Sequence, residues 1–269
     1  MSRDAEPTFV ELLEAELPPT FAVDGDATGY QIRFASGPYR RVGVCYEVDD
    51  AVVRAAIEEQ IDLVIAFHPL IYGHLASLSP SKRVPRVVGS LLTHTIDLFV
   101  VHTRFDTHRE GTNVLLAREL GLTGTTPLVE VSDPAAFGMG LIGSTPNSTT
   151  YSSFVELVAR VTRASSTRST ASDYDRPIST VALLGGSGMS YYPQAVAADV
   201  DAFVTGDVKY HDFHSSRDAI PIIDPGHDAS ERFVSAGLRT LLAALAERLP
   251  NGPSIIDLDV STCPYHTAL

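Results

Sequence analysis

The spacing of apolar residues switches repeatedly between a two-residue period and a 3.6-residue period along the chain. Buried strands are predicted at 41–47, 63–67, 98–101, 138–143, 181–186, 202–206, 220–224 and 254–260. Helices are predicted at 9–17, 49–60, 84–95, 112–120, 152–163, 193–198 and 229–248, with a short one after the strand at 202–206. Because strands alternate with helices, the pattern predicts an α/β fold with parallel sheets and right-handed crossovers.

The length of 269 residues fits one large α/β unit or two smaller ones. The strand–helix pattern restarts after a Pro- and Gly-rich connection near residue 125. One low-complexity stretch, at 164–177, is predicted to be a mobile loop.

Composition narrows the class of protein. Hydrophobic residues make up 44% of the chain, but no apolar run is long enough to span a bilayer, so no membrane partner is expected. The first residues are acidic and do not resemble a signal peptide, so export is not expected. Two cysteines, Cys45 and Cys263, are too few for a disulfide framework. Both observations favour a location in the reducing cytoplasm. A net charge of −13 argues against nucleic acid as the main partner, because binding to phosphates needs a basic face.

Residues of metal-ligating types follow several predicted strands. His68 follows the strand at 63–67, His102 and then Asp106 follow the strand at 98–101, and His227 follows the strand at 220–224. Asp207 follows a fourth strand. In open α/β sheets, functional residues gather beyond the carboxyl ends of the strands. These residues are therefore candidates for one shared site.

His227 and Glu231 are four residues apart where a loop leads into a helix, so both side chains can face one point. Imidazole and carboxylate ligands together suit Zn, Mn, Fe, Co or Ni better than Ca or Mg. A bound ion with an open position lowers the pKa of its water from about 15.7 to roughly 7, which supplies a nucleophile at neutral pH.

Each of these residues also has a structural interpretation. A histidine after a strand is often hydrogen-bonded without binding a metal, Asp106 could turn the chain, and Glu231 could be a first-turn acid favoured by the helix dipole. Each signal is weak when it is taken alone. Their joint placement at strand ends is what favours a metal site.

Two further motifs have two interpretations each. The glycines of LLGGSG (183–188) could present backbone N–H groups to a phosphate or could form a tight turn. Asp207 and His211 could pair as acid and base in a pocket, or they could be a helix cap and a partly exposed imidazole.

Six segments in order resemble the successive signatures of the NIF-three-like family (NGG-one-interacting factor 3), often labelled GTP cyclohydrolase 1 type 2. They are DGDATGYQI (24–32), DLVIAFHPLI (62–71), VVHTRFD (100–106), LLGGSG (183–188), DAFVTGDVKYHD (201–212) and IIDPGHDASER (222–232). The resemblance covers nearly the whole chain except the region around 125–180.

The resemblance implies two interlinked α/β domains with mainly parallel sheets, a homohexameric ring and two adjacent metal ions per subunit. It divides the chain into a first domain, 1–124 joined by 225–269, and a second domain, 125–224. By position it assigns the metal ligands His68, Asp106, His227 and Glu231. It also places His102 close to the site, as a supporting or proton-transferring residue.

The chain departs from the family at two positions. Phe67 stands where the family has the first histidine of a pair, and a phenyl ring cannot coordinate a metal. The set His68, Asp106 and Glu231 is intact and the set His227 and Glu231 is depleted, so one well-held ion is expected, with the second weak or absent. Arg104 is also unusual and is expected to attract a phosphate or to replace the missing cation electrostatically. His74 and His108 could compensate for the lost ligand or could be surface residues.

Two classes of function follow from these observations. One is a metal-dependent hydrolase acting on GTP or another phosphorylated small molecule, with His102, His211 and Asp207 as candidate catalytic residues. The other is a non-catalytic metal-binding, trafficking or regulatory ring, which the loss of a ligand at Phe67 favours.

Overall fold

The computed structural model describes residues 7–34, 37–170, 173–258 and 264. Its strands are β1 (Gly29–Ile32), β2 (Arg41–Cys45), β3 (Leu63–Ala66), β4 (Asp97–Val100), β5 (Thr123–Val129), β6 (Met139–Thr150), β7 (Arg168–Ser169), β8 (Pro177–Leu183), β9 (Ala202–Val204), β10 (Ile222–Asp224) and β11 (Ser254–Asp257). Its α-helices are α1 (Phe9–Glu16), α2 (Asp50–Glu58), α3 (Arg83–His94), α4 (Thr103–Asp106), α5 (Thr112–Glu119), α6 (Tyr151–Thr162), α7 (Tyr192–Ala197), α8 (Tyr210–Ser215), α9 (His227–Ser230) and α10 (Val234–Glu247). The predicted α/β class with two mainly parallel sheets is confirmed.

The described residues form two compact units, one within Met1–Phe105 and Val234–Thr262, the other within Asp106–Phe233. The sequence-based division after residue 124 assigned α5 to the first domain. Instead, α5 belongs to the second unit, because Leu116 and Leu120 pack into the apolar cluster of that unit.

The first unit contains a five-stranded sheet with the order β1-β4-β3-β2-β11. Four neighbouring strands are parallel, and β1 lies antiparallel to β4 at the edge. All residues of β3 and β4 are buried, which explains why these strands appear in the sequence as continuous apolar runs. The edge strand β1 was not predicted, because only two of its four residues are buried.

Helices α2 and α3 pack on the sheet of the first unit through Val52, Val87 and Leu91, which belong to its buried apolar cluster. Burial of each such side chain contributes about 1.5–3 kcal/mol. Helix α2 begins at Asp50, one residue after the predicted start, because Asp49 caps it: its carboxylate accepts hydrogen bonds from the N–H groups of Ala51 and Val52.

The second unit contains a six-stranded sheet with the order β5-β6-β8-β9-β10-β7. Strands β8, β9 and β10 are parallel, whereas β5, β6 and β8 are antiparallel neighbours. The parallel half carries three adjacent strand ends at one edge of the sheet. Strand β5 was not predicted, because none of its residues is fully buried and its sequence lacks a clear apolar pattern.

Two elements of the structure differ in detail from those predicted from the sequence. The stretch at 164–177, predicted to be a mobile loop, contains β7, which pairs with β10, while residues 171–172 lie outside the described part. The long helix predicted at 229–248 is divided into α9 and α10 by a turn at 231–233. Glu231 therefore lies in a turn, where its carboxylate can point back towards the start of α9.

Within the part of the chain that is described, no helix has both the length and the apolar character needed to cross a bilayer. Cys45 is buried, and Cys263 lies outside the described residues.

Candidate metal centre

In the first unit, the ladder of backbone hydrogen bonds continues past the carboxyl ends of β2, β3 and β4. The N–H of Phe67 donates to the carbonyl of Cys45 at 3.0 Å, and the N–H of His102 donates to the carbonyl of Phe67 at 3.0 Å. The residues after these strands are therefore neighbours, as the strand-end argument predicts. The rings of His68 and His102 lie with their centroids 5.4 Å apart.

The imidazole of His68 is held by a carboxylate. Its Nδ1 lies 3.2 Å from Oε2 of Glu47, and the other carboxylate oxygen, Oε1, accepts a hydrogen bond from Arg83 at 3.3 Å. Burial would raise the pKa of Glu47, but the contacts with His68 and Arg83 outweigh it and lower that pKa. Glu47 is thus an ionised partner that the sequence analysis did not single out.

Phe67 presents an apolar ring next to both histidines. It is completely buried, and it stacks on Tyr46 with the ring centroids 5.8 Å apart and an angle of 14° between the rings. Its ring also contacts that of His102, with 5.6 Å between centroids. The position where the family has a histidine therefore belongs to an aromatic cluster in this chain.

His102 is fixed by Asp26. Its Nδ1 lies 2.8 and 2.9 Å from the two carboxylate oxygens, and the backbone N–H and hydroxyl of Thr103 also donate to Asp26. Burial would raise the pKa of Asp26, but the hydrogen bonds from His102 and Thr103 lower it overall. His102 has a φ of 34°, a backbone conformation that is rare for residues other than glycine and is found at functional sites.

Gln31, from the same early motif as Asp26, holds the chain that follows His68. Its side-chain amide accepts from the N–H of Ile71 and donates to the carbonyl of Ile71, both at 2.8 Å. The segment DGDATGYQI (24–32) thus supports the segments that carry His68 and His102.

Arg104 does not face a phosphate site. The residue is only 4% exposed, its Nε donates to Thr28 Oγ1 at 2.9 Å, and its guanidinium carbon lies 5.6 Å from the centre of the Phe99 ring. Gly29 makes room for it, since a Cβ atom there would lie 3.2 Å from Arg104. The prediction that this cation attracts a phosphate is therefore wrong, because the aromatic and hydroxyl groups around the side chain hold it in the interior.

In the second unit, the glycines of LLGGSG form a tight turn whose N–H groups already have acceptors. Gly185 donates to Asn113 Oδ1 at 3.0 Å, Gly186 to Ser230 Oγ at 2.9 Å and Gly188 to Thr205 Oγ1 at 2.8 Å. These three groups are not directed at a phosphate, which favours the tight-turn interpretation.

His227 lies between two carboxylates at the ends of the parallel strands. Its Nδ1 is 2.7 Å from Asp207 Oδ2, and its Nε2 is 3.1 Å from Glu231 Oε2. Burial would lower the pKa of His227, but the hydrogen bonds and charges of Glu231 and Asp207 outweigh it and raise the pKa to about 10. In the ion-free protein, a proton on His227 therefore balances two negative charges.

Two glycines leave space for this pair of ligand-type residues. A Cβ atom at Gly186 would lie 3.0 Å from Glu231 Cδ and 3.3 Å from His227 Nε2. A Cβ atom at Gly206 would lie 2.8 Å from the backbone N and Cα of His227. Any larger residue at these positions would displace His227 or Glu231, so the glycines serve the site rather than a phosphate.

Asp106 lies at the end of α4, in the second unit. Asn113 donates to its backbone carbonyl at 3.0 Å and also accepts from Gly185, so one amide links Asp106 to the glycine turn. Burial raises the pKa of the Tyr191 hydroxyl, and the negative charge of Asp106 raises it further. Asn113 and Tyr191 were not among the candidate residues, because nothing in their local sequence marks them.

The other histidines have different surroundings. His211 is exposed on α8 with its ring against Tyr210, and Asp207 pairs with His227 rather than with His211. His74 is exposed, as the surface interpretation predicts. His108 is 7% exposed, and its Nδ1 accepts from the N–H of Glu110 at 3.2 Å, so the surface interpretation is wrong for this residue.

Within the second unit, His227 and Glu231 bring an imidazole and a carboxylate to one point, 3.1 Å apart, where both could be ligands of one metal ion.

The chain is similar to proteins of one family along nearly its full length. The family model for Duf34/NIF3 (NGG1p interacting factor 3) matches residues 7–264. A protein of Streptococcus pneumoniae named GTP cyclohydrolase 1 type 2 homolog is 31% identical over 96% of this chain and 97% of its own length. A protein of the same name from Streptomyces coelicolor is 30% identical over 82% of this chain and 80% of its own length.

Solved structures have the same fold. A Bacillus cereus protein related to NIF3 superposes with a TM-score of 0.89 at 22% identity, covering 97% of this chain and 98% of that protein. Reduced HcgD from Methanocaldococcus jannaschii superposes with a TM-score of 0.74 at 22% identity, covering 93% and 96% of the two chains.

Proposed function

Because the chain belongs to the Duf34/NIF3 family, we propose that it binds a divalent metal ion and, in that form, hydrolyses a nucleotide or another phosphorylated small molecule. The proposed ligands are the four that the family resemblance assigns: His68, Asp106, His227 and Glu231. The observation that carries the proposal is the pair His227 and Glu231, which face each other at 3.1 Å in space cleared by Gly186.

The residues fit a metal ion by their chemistry. Glu231 is only 5% exposed, and a buried carboxylate needs a compensating cation, which in the ion-free protein is the proton on His227. A divalent ion would take the place of that proton. Two imidazoles with one or two carboxylates suit Zn, Mn, Fe, Co or Ni.

An ion held there supplies Lewis-acid chemistry at an electrophilic carbon or phosphorus. Glu231 and Asp106 would hold it through carboxylate oxygens. Because Asp26 accepts the Nδ1–H of His102, the Nε2 atom of the neutral ring carries the lone pair and is the atom that takes up a proton. His102 is therefore a better proton carrier for the reaction than the exposed His211.

A second candidate function rests on Phe67. A completely buried phenyl ring replaces a ligand of the second ion, so we propose one well-held ion per chain. A site reduced in this way also fits a non-catalytic metal-binding, trafficking or regulatory protein. The GTP cyclohydrolase name belongs to the relatives, and no residue assigned here selects guanine.

Metal analysis of purified protein tests the binding proposal. We expect about one transition-metal ion per chain in the wild type and substantial loss in His68→Ala and Glu231→Gln. His74→Ala is the matched control, because His74 is an exposed histidine of the same unit as His68. Equal metal content in all four proteins would refute the proposed ligands.

Turnover assays separate the two candidate functions. The protein is loaded with Mn, Zn, Co or Fe and offered a panel of nucleotides and phosphoesters. Hydrolysis that is lost in His102→Gln and in Glu231→Gln supports the hydrolase. Absence of turnover across the panel favours the non-catalytic function.

We also propose a homohexameric ring in the cytoplasm, as the family resemblance implies. The molar mass measured by light scattering during size-exclusion chromatography should then be six times the chain mass of 28.9 kDa. A monomer or dimer mass would contradict the ring.

A further inference from the structure

We infer that Asp207 is a positioning residue, which orients His227 so that its Nε2 atom is presented to the metal ion. This inference rests on the proposed metal binding and assigns a different task from the acid–base role that the sequence suggests for Asp207. The carboxylate oxygen Oδ2 lies 2.7 Å from Nδ1 of His227, on the side of the ring opposite Glu231.

The backbone of Asp207 is held in a conformation that costs free energy. Its φ is 56°, in the left-handed region, which costs most residues about 1–2 kcal/mol and aspartate somewhat less. The side chain is 53% exposed, so the residue gains little from burial. An unfavourable backbone at an exposed position indicates that the location of the carboxylate matters more than its contribution to stability.

The chain around Asp207 also fixes the backbone of His227. The preceding residue, Gly206, approaches so closely that a Cβ atom there would lie 2.8 Å from N and Cα of His227. The N–H of Gly206 donates to the carbonyl of Gly186 at 2.7 Å. The segment thus locates His227 through its backbone and orients its ring through the Asp207 carboxylate.

The same arrangement occurs at the histidines of the first unit. Glu47 lies 3.2 Å from Nδ1 of His68, and Asp26 lies 2.8 Å from Nδ1 of His102. A carboxylate that accepts Nδ1–H fixes the tautomer, which leaves Nε2 as the ligand atom and makes it more basic. Loss of such a partner typically weakens metal binding by about 10–100-fold.

The experiment compares dissociation constants for Zn²⁺ and Co²⁺, measured by competition with a chromogenic chelator. The main variant is Asp207→Gly, because glycine adopts a φ of 56° without strain and only the carboxylate is lost. Asp207→Asn is the conservative variant, since it tolerates the same backbone and keeps an acceptor oxygen. Asp218→Ala, at an exposed aspartate of the same unit, is the matched control.

We expect Asp207→Gly to bind both ions about 10–100-fold more weakly, Asp207→Asn to recover part of the loss, and the control to match the wild type. The melting temperature of ion-free Asp207→Gly should change little, because release of the left-handed backbone offsets part of the lost ion pair with His227, and this separates positioning from a structural role. The absorption spectrum of bound Co²⁺ should also change in Asp207→Gly.

Affinity in Asp207→Gly within twofold of the wild type would overturn the inference and leave the proposed metal binding intact. If wild type and variants all fail to bind an ion, the proposed function fails, and the inference fails with it. A large loss of ion-free stability in Asp207→Gly, in parallel with the loss of affinity, would assign the residue to folding and would also overturn the inference.

Discussion

Gly186 leaves open the space that the Glu231 carboxylate occupies, since a Cβ atom at residue 186 would lie 3.0 Å from Glu231 Cδ. Gly186 also has a φ of 67°, which strains any larger residue. The glycine-rich turn therefore belongs to the candidate metal centre for a steric reason.

Gly186→Ala should weaken metal binding about tenfold or more, because the new methyl group displaces a ligand. The positive φ should also lower the free energy of unfolding by about 1–2 kcal/mol. Gly89→Ala is the control: Gly89 lies in α3 with nothing within 4 Å of an added Cβ, so alanine should stabilise the helix by about 0.5–1 kcal/mol and leave affinity unchanged. Chelator competition and urea unfolding measure both quantities, and unchanged affinity in Gly186→Ala would contradict the steric account.

Phe67→His should raise the metal stoichiometry from about one ion per chain towards two, because it restores the imidazole that the family places there. A buried imidazole without a metal is unfavourable, so the ion-free variant should be less stable than the wild type and should gain stability on metal addition. Phe67→Leu is the control, since it stays apolar and should keep one ion. Mass spectrometry of the intact protein under native conditions counts the ions, and a count of one in Phe67→His would refute the missing-ligand explanation.

Metal binding should release about one proton near neutral pH, because the pKa of His227 in the ion-free protein is raised to about 10. Apparent affinity should therefore rise roughly tenfold per pH unit between about pH 7 and 9. Calorimetry in two buffers of different ionisation enthalpy counts the protons released. Binding without proton release would show that His227 is neutral before the ion arrives.

The raised pKa of His227 also makes the ion-free protein less stable in alkali. Because the pKa of His227 in the folded protein, about 10, lies above its ordinary value of 6.5, this stabilisation is fully present below pH 6.5 and is lost as the pH rises towards 10. Thermal melts in chelator should show this decline in the wild type and a flatter profile in His227→Gln. Parallel profiles would contradict the charge assignment.

Asp26→Ala should lower the free energy of unfolding by about 2–4 kcal/mol, because the carboxylate accepts hydrogen bonds from His102 and Thr103. The pKa of Asp26 is lowered from its ordinary value of 3.8, so this stabilisation is present above pH 3.8 and is lost as the pH falls through the pKa of the folded protein. Asp24→Ala, at an exposed neighbour, should have little effect. Equal unfolding free energies for the two variants would contradict the role of Asp26.

The sequence predicted those parts of the site that depend on local spacing. The four-residue separation of His227 and Glu231, and the placement of His68 and His102 after buried strands, follow from helix and sheet geometry. The partners of these residues could not be predicted in this way. Asp26 lies 76 residues before His102 in the chain, and the two meet only because the chain preceding β1 folds next to the end of β4.

Two side chains lie differently from what their neighbours in the sequence suggest, for the same reason. Arg104 was expected to face a phosphate because its sequence neighbours are site residues, but its side chain turns into the interior towards Phe99. Asp207 was considered with His211, four residues away, whereas its partner is His227, twenty residues away. Side-chain direction depends on the backbone conformation, and the left-handed φ of Asp207 does not follow from the identity of the residue.

The location of the ion tests the central claim most directly. Crystals of protein purified with its native metal, measured on both sides of the absorption edge of that metal, should give one strong anomalous peak per chain. The peak should lie within bonding distance of His68 Nε2, His227 Nε2 and a Glu231 carboxylate oxygen. A peak within bonding distance of other residues would contradict the account. So would metal-replete crystals in which His227 and Glu231 are hydrogen-bonded to each other and no ion lies beside them.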